Sequence, residues 1–125
     1  MFDTQKIIAA FSEAWAAGDV DGVMALFNDD PVYRTSTGGG TGTTFTGRDQ
    51  VRSAVERMTQ NNSFVGDDSL ETAEVIDGGY RSVVFWKIAF PSPNGEMTLV
   101  DGLDVFTFDK DFRIARKDAF RKAWV

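Results

Sequence analysis

The chain has 125 residues, a formal net charge of −6, and neither cysteine nor histidine. Its length favours one domain, residues 1–125, and its negative charge disfavours a phosphate backbone, so we expect no nucleic-acid partner. Without cysteine there is no disulfide, thiol nucleophile or thiolate metal site, and without histidine any acid–base chemistry falls to carboxylates, tyrosines or lysines.

Apolar and aromatic residues are abundant enough to form a core. Hydrophobic residues make up 42% of the chain and aromatic residues 13%, including eleven phenylalanines and three tryptophans. Rings suit either dense packing or the flat walls of an apolar cavity, and composition leaves both open. No apolar run is long enough to span a bilayer, and the N-terminus lacks a charged start followed by an apolar stretch. We therefore expect a cytoplasmic protein with no membrane partner.

Helical spacing predicts three helices in the first half of the chain. The first begins at Asp3 or Thr4 and is ended by Gly18. Its apolar stripe consists of Ile7, Ile8, Phe11, Ala14 and Trp15. Asp19 caps the second helix, whose apolar face runs to Phe27. Residues 28–31 end that helix, because the residue before a proline disfavours helical geometry. The third helix spans residues 48–58.

The rest of the chain predicts strands. They cover residues 32–36, 70–76, 80–90, 97–108 and 114–120, with turns at 77–79, 91–95 and 109–112. Helices followed by an antiparallel meander indicate an α+β fold. The glycine-rich segment 37–44 lacks the lysine of a phosphate-binding loop, so we interpret it as a flexible flap. Asp109 and Asp111 start like a calcium loop, but the later glycine and glutamate are missing, which favours a hairpin turn.

Four segments resemble the SnoaL-like branch of the nuclear transport factor 2-like superfamily. They are residues 17–30 (AGDVDGVMALFNDD), 45–49 (FTGRD), 100–108 (VDGLDVFTF) and 114–120 (IARKDAF). The resemblance implies a cone, in which a strongly bent mixed or antiparallel sheet wraps over three N-terminal helices and leaves a pocket at the wide end. Its known members include ketosteroid isomerase, limonene-epoxide hydrolase, polyketide cyclases and non-catalytic domains, so the fold alone does not give the activity.

The resemblance to ketosteroid isomerase carries over at one position of three. That enzyme has a catalytic aspartate and an oxyanion-holding tyrosine where this chain has Thr35 and Phe11. Its protonated aspartate is matched by Asp104. Steroid isomerisation by the known mechanism is therefore not expected.

The resemblance to limonene-epoxide hydrolase carries over at two positions of five. Tyr33 matches its water-holding tyrosine, and Thr35 replaces the asparagine beside it. Its arginine and middle-strand aspartate fall near Phe85 and Lys87, and its last aspartate falls at Asp118. The implied pocket wall is similar, but its polar groups differ.

Three residues are therefore candidates for catalysis: Asp104, Asp118 and Tyr33. An inward-facing Asp104 would have a raised pKa and could donate or shuttle a proton; alternatively, backbone donors or a lysine satisfy it. Asp118 is either a pocket carboxylate or part of a surface ion pair. Tyr33 either places its hydroxyl at the pocket or is a half-buried strand residue.

Further candidates concern binding and charge. Lys87 either faces a dry cavity and pairs with Asp104 or points to solvent. The candidate substrate-binding residues are Phe11, Trp15, Phe27, Thr35, Met58, Phe85, Trp86, Lys87 and Phe106. Six of them could instead be simple core: Trp15, Phe27, Met58, Phe85, Trp86 and Phe106. The basic residues near the end of the chain are predicted to line a solvated strand face. They are Arg113, Arg116, Lys117, Arg121 and Lys122.

Two functions are consistent with this pattern. The first is a cofactor-free isomerase, cyclase or hydrolase that acts on a small apolar molecule without a metal or organic cofactor. The second is a non-catalytic ligand-binding or assembly domain. Apolar residues on both faces of 83–90 and 99–108 predict a homodimer formed through the outer face of the sheet.

Overall fold

The structure, a computed structural model, describes residues 4–37, 41–60, 74–78, 80–91 and 94–122. Three helices precede most of the sheet: α1 (Thr4–Ala16), α2 (Val20–Met24) and α3 (Arg48–Gln60). Gly18 follows α1 with a φ of +68°, a left-handed conformation in which glycine carries no side-chain penalty. The Asp19 side chain accepts the backbone N–H of Gly22 at 3.0 Å and caps α2. The predicted helix end at Gly18 and the predicted helix cap at Asp19 are both confirmed.

Within the described residues, six strands form one mixed sheet. They are β1 (Phe27–Arg34), β2 (Thr44–Thr46), β3 (Glu74–Gly78), β4 (Arg81–Pro91), β5 (Met97–Phe108) and β6 (Ile114–Arg121). The order across the sheet is β2-β1-β6-β5-β4-β3. The β1–β6 pair is parallel and all the others are antiparallel. The sheet curls around the helices, as the predicted α+β cone requires.

Strand β1 begins earlier than predicted. Phe27 belongs to the strand rather than to α2, and residues 28–31, predicted to end a helix, lie within β1. Phe27 is fully buried and pairs with Ile114 of β6, so tertiary burial overrides the local helical pattern. The pairing between β1 and β6 shifts between Phe27 and Val32, which accommodates Pro31.

Other boundaries differ less. Strand β2 was not predicted, and it pairs with β1 through Tyr33 and Phe45. The predicted start of β3 lies outside the described residues, and its turn residues Asp77 and Gly78 belong to the strand. Strand β5 has the predicted bounds, whereas β4, β6 and α3 differ by one or two residues. The predicted flap and the 91–95 turn are only partly within the described residues.

The core lies between the helices and the inner face of the sheet. Its buried apolar residues are Ile8, Phe11, Val23, Met24, Phe27, Tyr33, Val51, Ala54, Val55, Val84, Phe106, Phe108 and Ile114. Because side chains alternate along a strand, every second residue of β4 and β5 faces these helices and the others form the outer face, whereas a bulge at Ala115 interrupts the alternation in β6. Within the part of the chain that the structure describes, no helix is both long and apolar enough to cross a membrane.

Candidate functional site

Three strands bring Tyr33, Asp104 and Lys117 together on the inner face of the sheet. Tyr33 of β1 lies beside Lys117 of β6, because these two residues are register partners in the parallel pair. Lys117 is opposite Phe106 of β5, which places Asp104 diagonally across from it. The Lys117 Nζ and Asp104 Oδ1 atoms are 3.8 Å apart.

Aromatic rings surround the Lys117 ammonium. Its Nζ atom lies 4.4 Å from the ring centroid of Trp15, 4.4 Å from that of Tyr33 and 5.6 Å from that of Phe11. These distances are typical of cation–π interactions, which are stronger where water is excluded. Lys117 is only 4% exposed, so the cation is held by rings and by Asp104 rather than by solvent.

Burial and neighbouring charges set the protonation of the group. Burial raises the pKa of the Asp104 carboxyl, while the Lys117 charge and a hydrogen bond from Trp86 oppose the rise. Burial acts to lower the pKa of Lys117, but Asp104 and Tyr33 outweigh it, so this pKa is raised. Burial also raises the pKa of Tyr33, against the opposing charge of Lys117. At neutral pH the tyrosine is therefore a phenol and the lysine an ammonium.

The Lys117–Asp104 ion pair is longer than a direct hydrogen bond. A direct N–H···O hydrogen bond has its heavy atoms about 2.7–3.2 Å apart. The 3.8 Å separation between Lys117 and Asp104 exceeds that range, so their attraction is a contact between charges. The ammonium has three donors and the carboxylate two acceptor oxygens. A polar atom within hydrogen-bond reach of both groups would have to lie beside the pair, because a gap of 3.8 Å is too short to hold an atom between them.

Asp118 lies on the opposite face of β6 from this group. Its carboxylate accepts hydrogen bonds from Arg116 Nε at 2.7 Å and Nη2 at 3.2 Å, and it lies 3.9 Å from Arg34 Nε. Its register partner in β5 is Val105 rather than Asp104. The structure thus places Asp118 in the ion pair that was the alternative interpretation, and it does not bring Asp118 to Asp104.

Lys87 and Phe85 also lie on the outer face. Lys87 is opposite Asp101 in the sheet, and their charged atoms are 3.9 Å apart, with both side chains substantially exposed. The structure thus places Lys87 in the solvent-facing position that was the second alternative, and it does not pair Lys87 with Asp104. Phe85, two residues earlier on the same face, is 41% exposed. Trp86, between them, points inward, and its ring lies over its register partner Gly102 of β5.

The Thr35 hydroxyl is directed at the following loop rather than at the charged group. Thr35 is buried, and its Oγ1 donates to the carbonyl of Thr37 at 3.0 Å. The same oxygen accepts the backbone N–H of Thr43 at 3.3 Å. This threonine therefore holds the two ends of the glycine-rich segment together.

The remaining aromatic candidates pack around Phe11. Its ring makes edge contacts with Phe27 at 6.0 Å and with Phe106 at 5.1 Å between centroids. It stacks with Trp15 at 5.5 Å. Met58 packs, partly buried, against the same core. Phe11 and Trp15 thus contact both the core and the Lys117 ammonium, whereas Phe27 and Phe106 form the layer behind them.

Lys117 is the site residue that sequence reasoning missed, since it was expected on a solvated face. Ile114 and Lys117 are both buried although they are three residues apart, which strict alternation forbids. The reason is a bulge: Phe108 and Thr107 pair with Ile114 and Arg116, so Ala115 is an extra residue in β6. An alanine carries no bulge signature, and the sequence therefore offered no signal for this change of face.

No metal site is apparent. In the ranges 4–37, 41–60, 74–78, 80–91 and 94–122, no group of three or more carboxylate, histidine or cysteine side chains could hold an ion. The chemistry of the charged group is that of a carboxylate, an ammonium and a phenol, which can accept, donate and hold protons.

The model of the SnoaL-like domain family matches residues 8–117. The chain belongs to the SnoaL-like family. A search of curated proteins finds no match to this sequence.

Solved structures with the same fold align over nearly the whole SnoaL-like chain. An NTF2-like protein of unknown function from Burkholderia pseudomallei is 22% identical, with a TM-score of 0.72, covering 98% of this chain and 92% of that one. A candidate polyketide cyclase from Xanthomonas campestris is 21% identical, with a TM-score of 0.70 and coverages of 94% and 88%. SalBIII, an epoxide hydrolase/cyclase-like enzyme in pyran ring formation in salinomycin, is 18% identical, with a TM-score of 0.72 and coverages of 95% and 90%. At these identities the likeness shows the fold alone.

Proposed function

We propose that this SnoaL-like protein is a cofactor-free acid–base enzyme, an isomerase, cyclase or hydrolase acting on a small, largely apolar molecule with a reactive oxygen. The observation that carries the proposal is the Asp104–Lys117 pair, 3.8 Å apart among aromatic rings, with Tyr33 beside it. A carboxylate with a raised pKa is a stronger base than an exposed one, and nearby donors stabilise developing negative charge.

For a carbonyl substrate, the reaction begins at Asp104. Its carboxylate takes a proton from the carbon next to the carbonyl. The C–H electron pair forms a carbon–carbon double bond while the π pair of the carbonyl moves to its oxygen, which gives an enolate. The Lys117 ammonium and the Tyr33 hydroxyl donate hydrogen bonds to that oxygen. In an isomerisation, Asp104 returns the proton to a different carbon. In a cyclisation, the enolate carbon bonds to a second carbonyl carbon, and the new alkoxide takes the proton.

The same groups suit ring opening of an epoxide. Asp104 takes a proton from water while the water oxygen bonds to an epoxide carbon and the C–O bond breaks. Lys117 or Tyr33 gives a proton to the leaving oxygen. The ring-forming enzyme SalBIII and the candidate polyketide cyclase, both of the same fold, support this range of reactions.

The test is a panel of ketosteroid, polyketide-type and epoxide substrates with matched carboxylate variants. Asp104→Asn removes the base, and we expect kcat/KM to fall about a hundredfold or more, the usual contribution of general acid–base catalysis. Asp118→Asn changes the same side chain on the opposite face and is expected to retain activity. Equal activity of Asp104→Asn and the unchanged protein would overturn the proposal. A substrate-like molecule that binds without turnover in any class would favour the non-catalytic ligand-binding function.

A second candidate function, assembly, is favoured by the outer face of the sheet. Register places four exposed apolar residues on it: Ile76, Phe85, Leu99 and Phe120, with exposures of 52%, 41%, 62% and 51%. Apolar surface of this kind on a sheet marks an interaction site. We propose that the occupant is a second copy of the chain, giving a homodimer.

Charge on the outer face supports pairing with a second copy. The edge near β1 and β6 carries Arg34 and Arg116 around one carboxylate, and the buried Nε of Arg34 makes no hydrogen bond among the described residues. The opposite edge carries Glu74, in register with Phe85. In a face-to-face dimer, a two-fold axis parallel to the strands would bring Arg34 and Arg116 toward the partner's Glu74. Light scattering is expected to give twice the chain mass, and a monomer at all concentrations would exclude this assembly.

A further inference from the structure

The turn between β4 and β5 exposes an asparagine that is followed directly by a glycine. Pro91 and Met97 close this hairpin, and the described part of its turn, residues 94–96, is exposed throughout. Gly95 has a φ of +86°, the left-handed conformation that a glycine adopts without strain. A Cβ atom built there would meet no described atom within 4 Å, its two chain neighbours aside. Neither a side chain of its own nor one from another part of the described chain therefore crowds the Gly95 peptide nitrogen.

The Asn94 side chain folds back along the same turn. Its Oδ1 atom accepts the backbone N–H of Glu96 at 3.0 Å, so this hydrogen bond spans Gly95 and keeps the side-chain amide against the main chain there. A donor on a carbonyl oxygen also stabilises the negative charge that the oxygen gains when a nucleophile attacks its carbon. The turn thus places a polarised carbonyl next to an uncrowded backbone nitrogen.

We propose that Asn94 is a site of spontaneous deamidation, in which the Gly95 peptide nitrogen is the nucleophile and water is the co-reactant. The nitrogen loses its proton to hydroxide and bonds to Cγ of Asn94. The side-chain nitrogen then leaves with the electron pair of its bond to Cγ, takes a proton from water and is released as ammonia. A five-membered succinimide ring remains.

Water opens this ring at one of its two carbonyl carbons. Breaking the bond between Cγ and the nitrogen restores the main chain and leaves an aspartate side chain at position 94. Breaking the original peptide bond instead gives isoaspartate, whose main chain runs through Cγ. Either product carries OH in place of NH2, and its ionised carboxylate adds one negative charge to the formal net charge of −6. The reaction uses no group of the candidate site, so it is independent of the proposed function.

Asn28 provides an internal comparison, because its side chain makes the same kind of turn. Its Oδ1 atom accepts the backbone N–H of Asp30 at 3.1 Å. The residue that follows it, Asp29, carries a side chain, and both lie within strand β1. The Asn28 amide is also held from its other end, since its Nδ2 atom donates to Asp109 at 3.2 Å. We therefore expect Asn28 to persist under conditions in which Asn94 reacts.

The test is peptide mapping by mass spectrometry of the folded, unchanged protein after days in mildly alkaline buffer. The peptide that contains Asn94 should gain the mass difference between OH and NH2, and electron-transfer fragmentation should identify isoaspartate as well as aspartate. The Asn28 peptide should keep its mass. Conversion at position 94 should be slower in mildly acidic buffer, because the glycine nitrogen must lose its proton. An unchanged Asn94 peptide, equal conversion of the two asparagines, or aspartate without isoaspartate overturns the inference.

Two variants test whether the Gly95 nitrogen is the nucleophile. Gly95→Asp gives Asn94 the same kind of successor as Asn28, and aspartate tolerates the left-handed conformation better than most residues. We expect it to suppress conversion. Asn94→Gln keeps the amide but lengthens the side chain by one carbon, so the five-membered ring cannot form and conversion should be lost. Conversion that continues unchanged in Gly95→Asp contradicts attack by this nitrogen, and the mapping of the unchanged protein decides the matter if either variant does not fold.

Discussion

Lys117 is the side chain on which the candidate site depends. It places a positive charge among the rings of Phe11, Trp15 and Tyr33, with one carboxylate, Asp104, as its counter-charge. Buried ion pairs are weak stabilisers, because the loss of hydration offsets much of the attraction, and apolar replacements are often as stable. A buried pair whose atoms are too far apart for a direct hydrogen bond therefore contributes little to the net stability of the fold.

Removing the lysine should make stability depend strongly on pH. In Lys117→Met, Asp104 stays buried without its counter-charge, and its pKa in the folded protein rises further. The folded state then binds more protons than the unfolded state between the two pKa values, so stability falls as pH rises through this window. We expect a loss of about 3 kcal/mol at pH 7.5 by urea unfolding, and a smaller loss near pH 4.

The control for this prediction is the double variant Lys117→Met with Asp104→Asn. It removes the uncompensated charge, so most of the lost stability should return and the added pH dependence should disappear. If the single variant is as stable as the unchanged protein at both pH values, Asp104 and Lys117 are not coupled in the way the geometry indicates.

At the scale of secondary-structure elements, β6 determines which residues form the site. The extra residue Ala115 changes the alternation, so that Lys117 faces inward while Arg116 and Asp118 face outward. A bulge of this kind changes the face of the sheet on which the following side chains lie. The oppositely charged neighbours Lys117 and Asp118 thus lie on opposite faces of the sheet. Lys117 pairs with Asp104, and Asp118 pairs with Arg116.

A second element-level feature is the junction of α2, β1 and α3. The Arg48 guanidinium donates to the carbonyl oxygens of Met24, Phe27 and Asn28 at 3.0, 3.2 and 2.8 Å. These bonds satisfy carbonyls at the end of a short helix and at the irregular start of a strand, where regular partners are missing.

Arg48→Met is expected to lower the free energy of unfolding by about 3 kcal/mol, because it leaves part-buried carbonyls without donors. Arg52→Met, one turn later on α3, removes the exposed pairs with Asp21 and Glu56 and should change it by less than about 1 kcal/mol. Chemical denaturation of both variants gives the comparison. Similar losses for the two arginines would contradict the assigned role of Arg48.

The elements that depend on local pattern could be predicted from the sequence. Periodicity gave α1, α3 and β5, and turn residues such as Gly18 gave their ends. The start of β1 could not be predicted, because the local pattern around Phe27 fits a helix. Its pairing with Ile114 of β6 depends on a distant part of the chain. In the site, Asp104 and Tyr33 were named as candidates by resemblance to two different enzymes, together with Asp118, which lies on the opposite face. Lys117 was not, since its face depends on a bulge that involves another strand.

At the scale of the whole molecule, the two faces of the sheet carry different kinds of residue. The inner face carries the helices and the charged group, and the outer face carries exposed apolar residues such as Leu99 and Phe120. A sheet of this kind can support a binding site and an assembly surface without conflict, because alternation separates the two sets of side chains.

Leu99→Asp should weaken the proposed dimer by at least about tenfold, because it places a charge in the apolar surface between two copies. Analytical ultracentrifugation over a range of concentrations measures the dissociation constant. Tyr80→Ser is the matched control, since Tyr80 is also exposed but packs on the turn residue Phe112. Equal dissociation constants for the two variants would place the interface elsewhere.

The parallel pairing of β1 with β6 affects when the candidate site forms during folding. Tyr33 and Lys117 are neighbours in the sheet although they lie far apart along the chain. Contacts of long sequence separation close late and slow the folding reaction, because a large loop must be ordered first. A ribosome-bound chain that still lacks β6 would hold Tyr33 but no ammonium beside it, so binding competence should emerge only after the last strand has docked.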